Sequence, residues 1–390
     1  MGFLGNFFKT LLDVKSPSTP AATGPVRPHS QSPAPKTPPP RCPATRSRKS
    51  RQTASLVVQD TNGSKRTLAT QVGKGGEGEV WATSDDANVL VKIYHHPTTA
   101  QHDKIKALKS CIKLYSADSF GWPKAEILDT DGKWIGYAMR RRTGHQLQTL
   151  CQPQLLRERM PNWDRRQLIT TAKSFVSLVA EAHAAGVVMG DVNTANYLVD
   201  PANGQVSAID CDSYQYSSNG TFFACPVGIP MLMAPELLDC DMETTRRSVE
   251  SDYFAAAIML YRIFMVGAHP YSRVMGDTPI ENLRSGKTPV GIGNGCQFPR
   301  GRWYDIWSHL PFRMKKLFVQ AFVDGHSAPS SRPTLKDWQQ ALSVYRNDMD
   351  KGWMETAIIP DGPKSRQYRG TRQVQSASTP ANAGAHHRKT

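Results

Sequence analysis

The spacing of hydrophobic and polar positions changes near residue 160. Before this point, short apolar runs lie between turn residues, a pattern typical of strands. The runs are residues 80–82, 89–94, 125–128 and 134–139. An Asp131-Gly132 turn separates the last two, which predicts a hairpin. The N-terminal part of the chain should therefore be rich in β structure.

After residue 160 the apolar positions recur every three or four residues, as on one face of a helix. Residues 162–185 predict an amphipathic helix that Gly186 ends. Its apolar positions are Leu168, Ala172, Phe175, Val179 and Ala182. Residues 253–267 are mostly apolar, but they include Arg262 and are fewer than the ~20 residues of a membrane span. They predict a buried core helix.

The two ends of the chain carry most of its charge. The net charge is +15, of which +8 lies in residues 1–59 and +6 in residues 362–390. Residues 60–361 are therefore nearly neutral, as expected of an ordinary globular domain. We expect a short amphipathic segment at 1–15, a Pro-rich, basic, disordered linker at 16–59 and a basic, disordered tail at 362–390.

These ends suggest contacts other than specific nucleic-acid binding. Residues 1–15 have apolar positions at helical spacing near Lys9 and Lys15, which fits docking to a partner protein or an anionic membrane surface. A frayed end without function is the alternative. The tails hold almost no aromatic residues for base stacking, so we expect no specific nucleic-acid binding. The seven scattered cysteines show no CxxC spacing and fit a reducing cytosol, with attachment at the membrane periphery as an alternative location.

A glycine-rich stretch precedes the predicted strand at 89–94. Glycines let a hairpin approach phosphate groups without Cβ clashes, and their N–H groups can contact the oxygens. A glycine-rich hairpin followed by a strand with an embedded lysine resembles the order found in protein kinases. That resemblance implies that Lys92 binds the α- and β-phosphates of a nucleotide and that the backbone near Met139 contacts adenine. The predicted nucleotide-binding residues of the stretch are Gly73, Gly75, Gly76, Gly78 and Val80. Taken alone, such a stretch is equally well a plain turn.

Two aspartates and an asparagine that follow the predicted helix are the candidate catalytic and metal-binding residues. Asp191 and Asn196 precede a short strand at 197–199, and Asp210 follows a second strand. Phosphoryl transfer from ATP needs a carboxylate that orients the attacking hydroxyl, and oxygen ligands for the metal ions on the phosphates. Asp191 is the candidate base, and Asn196 and Asp210 are the candidate metal ligands.

Three further residues extend the series towards the C-terminus. Glu236 stands in an Ala-Pro-Glu sequence, Asp252 opens the predicted core helix, and Arg332 lies in a Ser-Arg-Pro-Thr sequence. The fork of an arginine suits bidentate pairing with a carboxylate, so we expect an Arg332–Glu236 pair.

The ordered motifs from about residue 66 to 345 resemble those of the eukaryotic-like protein kinase family. The Gly-Asp-Val-Asn loop and the Asp-Cys-Asp motif are similar to a bacterial serine/threonine kinase subgroup. The resemblance implies an α+β, two-lobed protein-kinase-like fold, with a small β-rich N-lobe, a larger helical C-lobe and ATP in the cleft. It also implies ATP as phosphoryl donor, Mg²⁺ (or Mn²⁺) as metal and proteins as substrates.

The chain departs from the family pattern at several positions. Residues 97–118 contain no glutamate to pair with Lys92, which leaves Asp103, a partner from elsewhere or none. Met189 and Gly190 replace the usual histidine and arginine, so a phosphate on the following segment lacks its usual counter-charge. Asn193 replaces a lysine, and Asp212 replaces a glycine.

Two other functions stay open from the sequence. The missing glutamate and Asn193 favour a pseudokinase that acts as a nucleotide-binding scaffold. The Gly190-Asp191 and Asp210-x-Asp212 sequences are also similar to antibiotic phosphotransferases, which are small-molecule kinases. The Ala-Pro-Glu sequence favours a protein kinase because it shapes a peptide-binding platform in that family.

Overall fold

The computed structural model describes residues 57–61, 63–272 and 278–364. The predicted segment at 1–15, the predicted linker as far as residue 56 and the predicted tail 362–390 from residue 365 onwards lie outside the described residues. The chain divides into two compact units. The first comprises the described parts of 1–102 and 125–139, and the second those of 103–124 and 140–390.

The first unit contains a closed barrel with strand order β1-β2-β3-β4-β6-β5. The strands are β1 (Val57–Asp60), β2 (Lys65–Lys74), β3 (Gly78–Thr83), β4 (Val89–Tyr94), β5 (Pro123–Leu128) and β6 (Trp134–Arg140). Alternate side chains point into the barrel, as the two-residue period of a strand requires. The buried interior set is Val58, Leu68, Val91, Ala125, Ile127 and Ala138.

Short strands of the second unit lie close to the candidate catalytic residues. β7 (His145–Gln146), β8 (Tyr197–Val199) and β9 (Val206–Ala208) form one antiparallel sheet. β10 (Tyr216–Ser218) and β11 (Thr221–Phe223) form a separate hairpin.

The remaining regular structure of the described residues is helical. The α-helices are α1 (Thr99–Lys109), α2 (Ile112–Ser116), α3 (Pro153–Arg159), α4 (Arg165–Ala184), α5 (Val249–Phe264), α6 (Pro279–Ser285), α7 (Arg302–His309), α8 (Phe312–Val319) and α9 (Leu335–Asp350). A π-helical turn, Gln320–Asp324, continues from α8. Short 3₁₀ turns occur at Leu147–Cys151, Cys211–Ser213, Pro230–Leu232, Pro235–Leu237, Gly293–Gly295 and Pro329–Ser331.

Helix α4 begins where its sequence provides a cap. The Asp164 side chain accepts a hydrogen bond from the backbone of Arg166, and Gln167 bonds back to the backbone of Asp164. This capping box supplies acceptors that the first turn of a helix lacks. The apolar face of α4 is buried, and α5 is buried along almost its whole length. These helices fix the region that carries the candidate catalytic residues.

The residues after α9 pack back onto the start of α4. Arg165 is fully buried, and its guanidinium donates to the carbonyls of Ala357 (3.0 Å) and Ile358 (2.9 Å). Residues after 345 therefore pack against the same helix as the residues before it. Strand β1 likewise begins inside the interval 16–59 that the sequence suggested as a linker.

The mixed α/β composition, with a β-rich N-terminal region and a helical C-terminal part, is confirmed. The strands expected at 80–82, 89–94, 125–128, 134–139 and 197–199 are present, and so are both expected helices. Within the described ranges, none of the helices has the length and apolar character needed to cross a bilayer.

Candidate active site

The backbone before Asp191 is fixed by a buried carboxylate from the first turn of α5. Asp252 is 1% exposed and accepts hydrogen bonds from the backbone N–H groups of Met189 (2.8 Å) and Gly190 (2.9 Å). His183, on α4, contacts the same carboxylate at 2.8 Å. Gly190 has φ +71°, a conformation that glycine adopts without strain. The two residues before the candidate base are therefore each held by a hydrogen bond from their backbone N–H to the Asp252 carboxylate.

Two amides hold the Asp191 carboxylate. The Nδ2 atoms of Asn193 and Asn196 each donate to Asp191 Oδ2 at 2.8 Å. Asn193 Oδ1 also accepts from the backbone N–H of Ala195 at 2.8 Å, which fixes the Asn193 side chain. At the position where the family has a lysine, this chain thus has an amide that orients the candidate base.

Asp210 is connected to the same loop through the backbone. The N–H of Ile209 donates to the carbonyl of Asn196 at 2.8 Å. Asp210 itself has φ 59° and ψ 41°, the left-handed conformation, which costs an L-residue about 1–2 kcal/mol. Strain of this kind clusters at functional sites. Asp191 and Asn196 are therefore hydrogen-bonded to each other, and Asp210 directly follows the residue that bonds to Asn196, all within the second unit.

The expected Arg332–Glu236 pair is confirmed. Nη1 and Nη2 of Arg332 each lie 2.7 Å from a carboxylate oxygen of Glu236. The Arg332 side chain is fully buried, and its Nε donates to the carbonyl of Gly325 at 2.8 Å. The pair joins the Ala-Pro-Glu sequence to the turn before α9.

The glycine-rich stretch forms the turn between β2 and β3. Gly73 pairs with Val80 across the hairpin, and the N–H of Gly75 donates to the carbonyl of Gly78 at 2.8 Å. A Cβ at Gly78 would lie 2.3 Å from the Ile93 carbonyl, so packing requires glycine there. At Gly76 a Cβ would meet no described atom within 4 Å, so packing of the described residues does not explain that glycine.

Lys92 lies on β4 opposite Val80. Its side chain is 6% exposed, and Nζ lies 5.4 Å from the centroid of the Tyr94 ring. Met139, the expected adenine contact, is buried near the end of β6. The glycine-rich hairpin, Lys92 and Met139 all belong to the first unit.

Helix α1 makes an unexpected acid contact. Its own acid, Asp103, is 55% exposed and lies 3.8 Å from Lys106. His102 instead contacts Glu126 of β5 at 2.6 Å and stacks on Trp134, with ring centroids 4.5 Å apart. Asp103 thus lies close to Lys106 on its own helix, and the acid that contacts His102 of this helix is Glu126 from strand β5.

The sequence interpretation missed several residues that make long-range contacts in the two units. It assigned no role to His102, Glu126 or His183, and it treated Asn193 as a lost charge. No local signal marks these residues, because each acts through a partner at least 20 positions away or through the side chain of Asp191. No group of three or more His, Cys, Asp or Glu side chains suited to a metal occurs in the described residues. The candidate metal ligands are one amide and one carboxylate, which need phosphate oxygens to complete a magnesium site.

Comparison with known proteins points to kinases. The chain is 30% identical over 311 residues to protein kinase YegI of Escherichia coli strain K12, covering 76% of this chain and 47% of that protein. It is also 30% identical over 295 residues to protein kinase YegI of E. coli O157:H7, covering 72% and 45% of the two chains.

A plant protein gives a shorter match. The chain is 26% identical over 132 residues to calcium-dependent protein kinase 25 of Arabidopsis thaliana, covering 33% of this chain and 24% of that protein. No protein-family profile matches the chain. The chain spans about half the length of the bacterial relatives. These similarities support a protein kinase family for this chain.

Proposed function

We propose that the chain is an ATP-dependent serine/threonine protein kinase with a protein-kinase-like fold over residues 66–345. The observation that carries this proposal is the hydrogen-bonded group around Asp191. Two amides bind the same carboxylate oxygen, Oδ2. No donor from the described residues bonds to the other oxygen, Oδ1. An acceptor held in this way suits a hydroxyl that must be oriented for attack.

The proposed reaction transfers the γ-phosphoryl group of ATP to a protein hydroxyl. The hydroxyl donates a hydrogen bond to Asp191 Oδ1, its oxygen bonds to the γ-phosphorus, the bond from phosphorus to the β–γ bridging oxygen breaks, and ADP leaves. Asp191 accepts the hydroxyl proton. Asn193 and Asn196 keep the carboxylate oriented during this step, which is a large part of what a kinase must provide.

The donor set around Asp191 fits a magnesium ion. Asn196 uses Nδ2 towards Asp191, so its Oδ1 is the atom left for a metal, and Asp210 adds a carboxylate. Mg²⁺ prefers such oxygen ligands, with phosphate oxygens and water completing six positions. Bound there, the metal would neutralise charge on the phosphates. Asn196 and Asp210 are the proposed ligands.

The glycine hairpin and Lys92 are the proposed phosphate-binding residues. Neither packing nor a left-handed backbone accounts for Gly76, which supports a role in close approach to a ligand. Lys92 is the proposed contact of the α- and β-phosphates. The full proposed nucleotide-binding set is Gly73, Gly75, Gly76, Gly78, Val80, Lys92, Met139, Asn196 and Asp210.

The finer family assignment, the partners and the location also belong to the proposal. We assign the chain to the bacterial subgroup with Gly-Asp-Val-Asn and Asp-Cys-Asp motifs and place it in the cytoplasm. Protein substrates follow from the kinase assignment, and residues 1–15 are the proposed contact with a partner or an anionic membrane surface.

A nucleotide-binding scaffold is the second candidate. Asn193 is the observation that favours it, because a neutral amide cannot bring positive charge to the γ-phosphate. We rank it second because the Asp191 carboxylate is oriented by two hydrogen bonds, which binding alone does not need.

Label transfer tests the proposal. The purified protein is incubated with γ-labelled ATP and Mg²⁺ beside a generic basic protein, and the labelled product is hydrolysed to identify the phosphoamino acid. Asp191→Asn and Asp210→Asn should abolish labelling, while the exposed control Asp324→Asn should not. Phosphoserine or phosphothreonine supports the proposal. ATP binding without transfer by the unmodified protein would favour the scaffold.

A further inference from the structure

The segment from Asp210 to Glu236, here the activation segment, is held at its backbone by a lysine from α1. Lys104 Nζ donates to the carbonyls of Ser213 (2.9 Å) and Ala224 (2.7 Å). These carbonyls lie just before β10 and just after β11, at the open end of the hairpin. One half-buried ammonium therefore closes the base of the hairpin.

A second cation holds the residues that follow. Arg247 lies just before α5 and is 2% exposed. Its Nη2 donates to the carbonyls of Cys225 (2.9 Å) and Val227 (2.5 Å). Hydrogen bonds between ionised donors and carbonyls are stronger than those between neutral groups. The two cations together bind four carbonyls of the activation segment.

Arg247 is itself fixed to the catalytic loop. The Gln215 side chain accepts from the backbone N–H of Arg247 and donates to its carbonyl, both at 2.8 Å. The backbone of Gln215 exchanges two hydrogen bonds with Val188, at 2.8 and 3.1 Å. The guanidinium therefore has a set position relative to the strand residues that lead to Asp191.

The space beside Gly190 explains why this arginine fits. A Cβ at Gly190 would lie 2.8 Å from Arg247 Nη1 and 2.8 Å from Cys225 Sγ. Residue 190 is where the family that the chain resembles has an arginine, whose charge binds a phosphate on the activation segment. Here the glycine leaves room, and the positive charge comes from Arg247.

The remaining contacts of Arg247 involve no carboxylate. Its Nε and Nη1 have no hydrogen-bond partner among the described residues. Burial raises the pKa of the neighbouring Cys225 thiol, so that group is neutral at pH 7. The contacts that Arg247 does make with oxygen are to main-chain carbonyls, which are present whether or not any side chain is phosphorylated.

We propose that Lys104 and Arg247 form a carbonyl clamp that positions the activation segment without phosphorylation. The inference rests on the proposed kinase function and adds how the site is regulated. Both residues act through backbone carbonyls of the activation segment, so both are positioning residues. Because the carbonyls are permanent, the segment is held in place as soon as the chain folds.

Hydrogen exchange measured by mass spectrometry tests the clamp without any need for activity. The full chain is compared with Lys104→Met, with Lys106→Met as the matched control on the same helix. Peptides covering residues 213–228 should exchange at least about tenfold faster in Lys104→Met, because two hydrogen bonds to a charged donor are lost. The control should match the unmodified chain. Equal protection in Lys104→Met would overturn the proposal.

Arg247 is tested in the same way, with a conservative variant. Arg247→Gln should raise exchange across residues 225–228, Arg247→Lys should restore part of the protection, and the exposed Arg313→Gln should change nothing. If Arg247→Gln fails to fold, Lys104→Met and Arg247→Lys still decide. If Arg247→Lys and Lys104→Met both showed the same amide exchange rates across residues 213–228 as the unmodified chain, the clamp would be contradicted.

Kinetics separate this inference from the proposed function. Lys104→Met should raise KM for the protein substrate or lower kcat about tenfold, with KM for ATP changed less than about twofold. Replacing the hydroxyl residues Ser213, Ser217, Ser218 and Thr221 together by alanine should leave kcat within about threefold. A large loss in that quadruple variant would overturn the clamp. No transfer by the unmodified chain would refute the kinase assignment, while the exchange data would still test the clamp.

Discussion

Replacing Asp252 by asparagine should loosen the loop that carries the candidate base. The Asp252 carboxylate accepts from the backbone N–H groups of Met189 and Gly190 and contacts His183. Asparagine has a single acceptor oxygen, and its NH₂ group would face a main-chain donor. At least one buried N–H group next to Asp191 therefore loses its acceptor.

The structure gives the size of the effect. Asp252 is 1% exposed, so water cannot replace the lost acceptor. An unsatisfied buried donor costs about 1–3 kcal/mol, so the free energy of unfolding should fall by about 2 kcal/mol. A shift of about 1 Å in a reacting group can cost a hundredfold in rate, so kcat should fall about 10²-fold. The KM for ATP should change little, because the contacts of Asp252 are to the loop backbone and to His183, none of them a proposed nucleotide-binding residue.

Two assays check this prediction on the same variant. Urea unfolding gives the loss of stability, and phosphoryl transfer to a basic protein gives kcat and the KM for ATP. Asp324→Asn, at an exposed position, is the control for the loss of a carboxylate. A normal kcat in Asp252→Asn, with stability reduced as expected, would refute the claim that this carboxylate positions Asp191.

Two further predictions concern stability. Glu236→Gln should lower the free energy of unfolding, measured in urea, by about 2 kcal/mol. This is less than the ~3–5 kcal/mol that breaking a fully buried pair costs, because the Glu236 side chain is 35% exposed. Glu243→Gln, at an exposed position, should have no effect, and equal stability of the two variants would contradict a structural role for the Glu236–Arg332 pair. Burial lowers the pKa of His269 to about 3, so between about pH 6.5 and 3 the unfolded chain binds a proton that the folded chain excludes, and stability falls as pH falls. His269→Gln should therefore flatten the decline in urea-measured stability from pH 6.5 to 4, by up to about 1.4 kcal/mol per pH unit, and an unchanged slope would show that His269 is not responsible.

Local patterns were sufficient to predict several strands, among them β3 to β6, and the two helices α4 and α5. The period of apolar residues predicted a helix over 162–185, and the structure has Arg165–Ala184, because the Asp164 cap sets the start more sharply than the apolar pattern does. The Arg332–Glu236 pair was also predictable, since both residues stand in short recognisable sequences. Strand β1 was not predicted, because Val57–Asp60 is short and follows a polar, basic stretch.

Several contacts within each unit could not be predicted from the sequence. The bond from Asn193 to Asp191 depends on the loop backbone, so a substitution that looked like a lost charge is also a gained hydrogen bond. Arg247 meets the activation segment 20 or more residues before it, and Glu126 meets His102 across 24 positions. Such long-range pairs depend on how the elements pack against each other, so local sequence patterns cannot predict them.

The chemistry of Asp191 is the central claim, and turnover measured beside ATP affinity tests it most directly. The unmodified chain and Asp191→Asn are compared for kcat with a basic protein substrate and for Kd of ATP with Mg²⁺. We predict a loss of kcat of about 10²–10⁴-fold, the usual contribution of a positioned acid or base, with Kd changed less than about threefold. An Asp191→Asn variant that turns over at the unmodified rate would contradict the account.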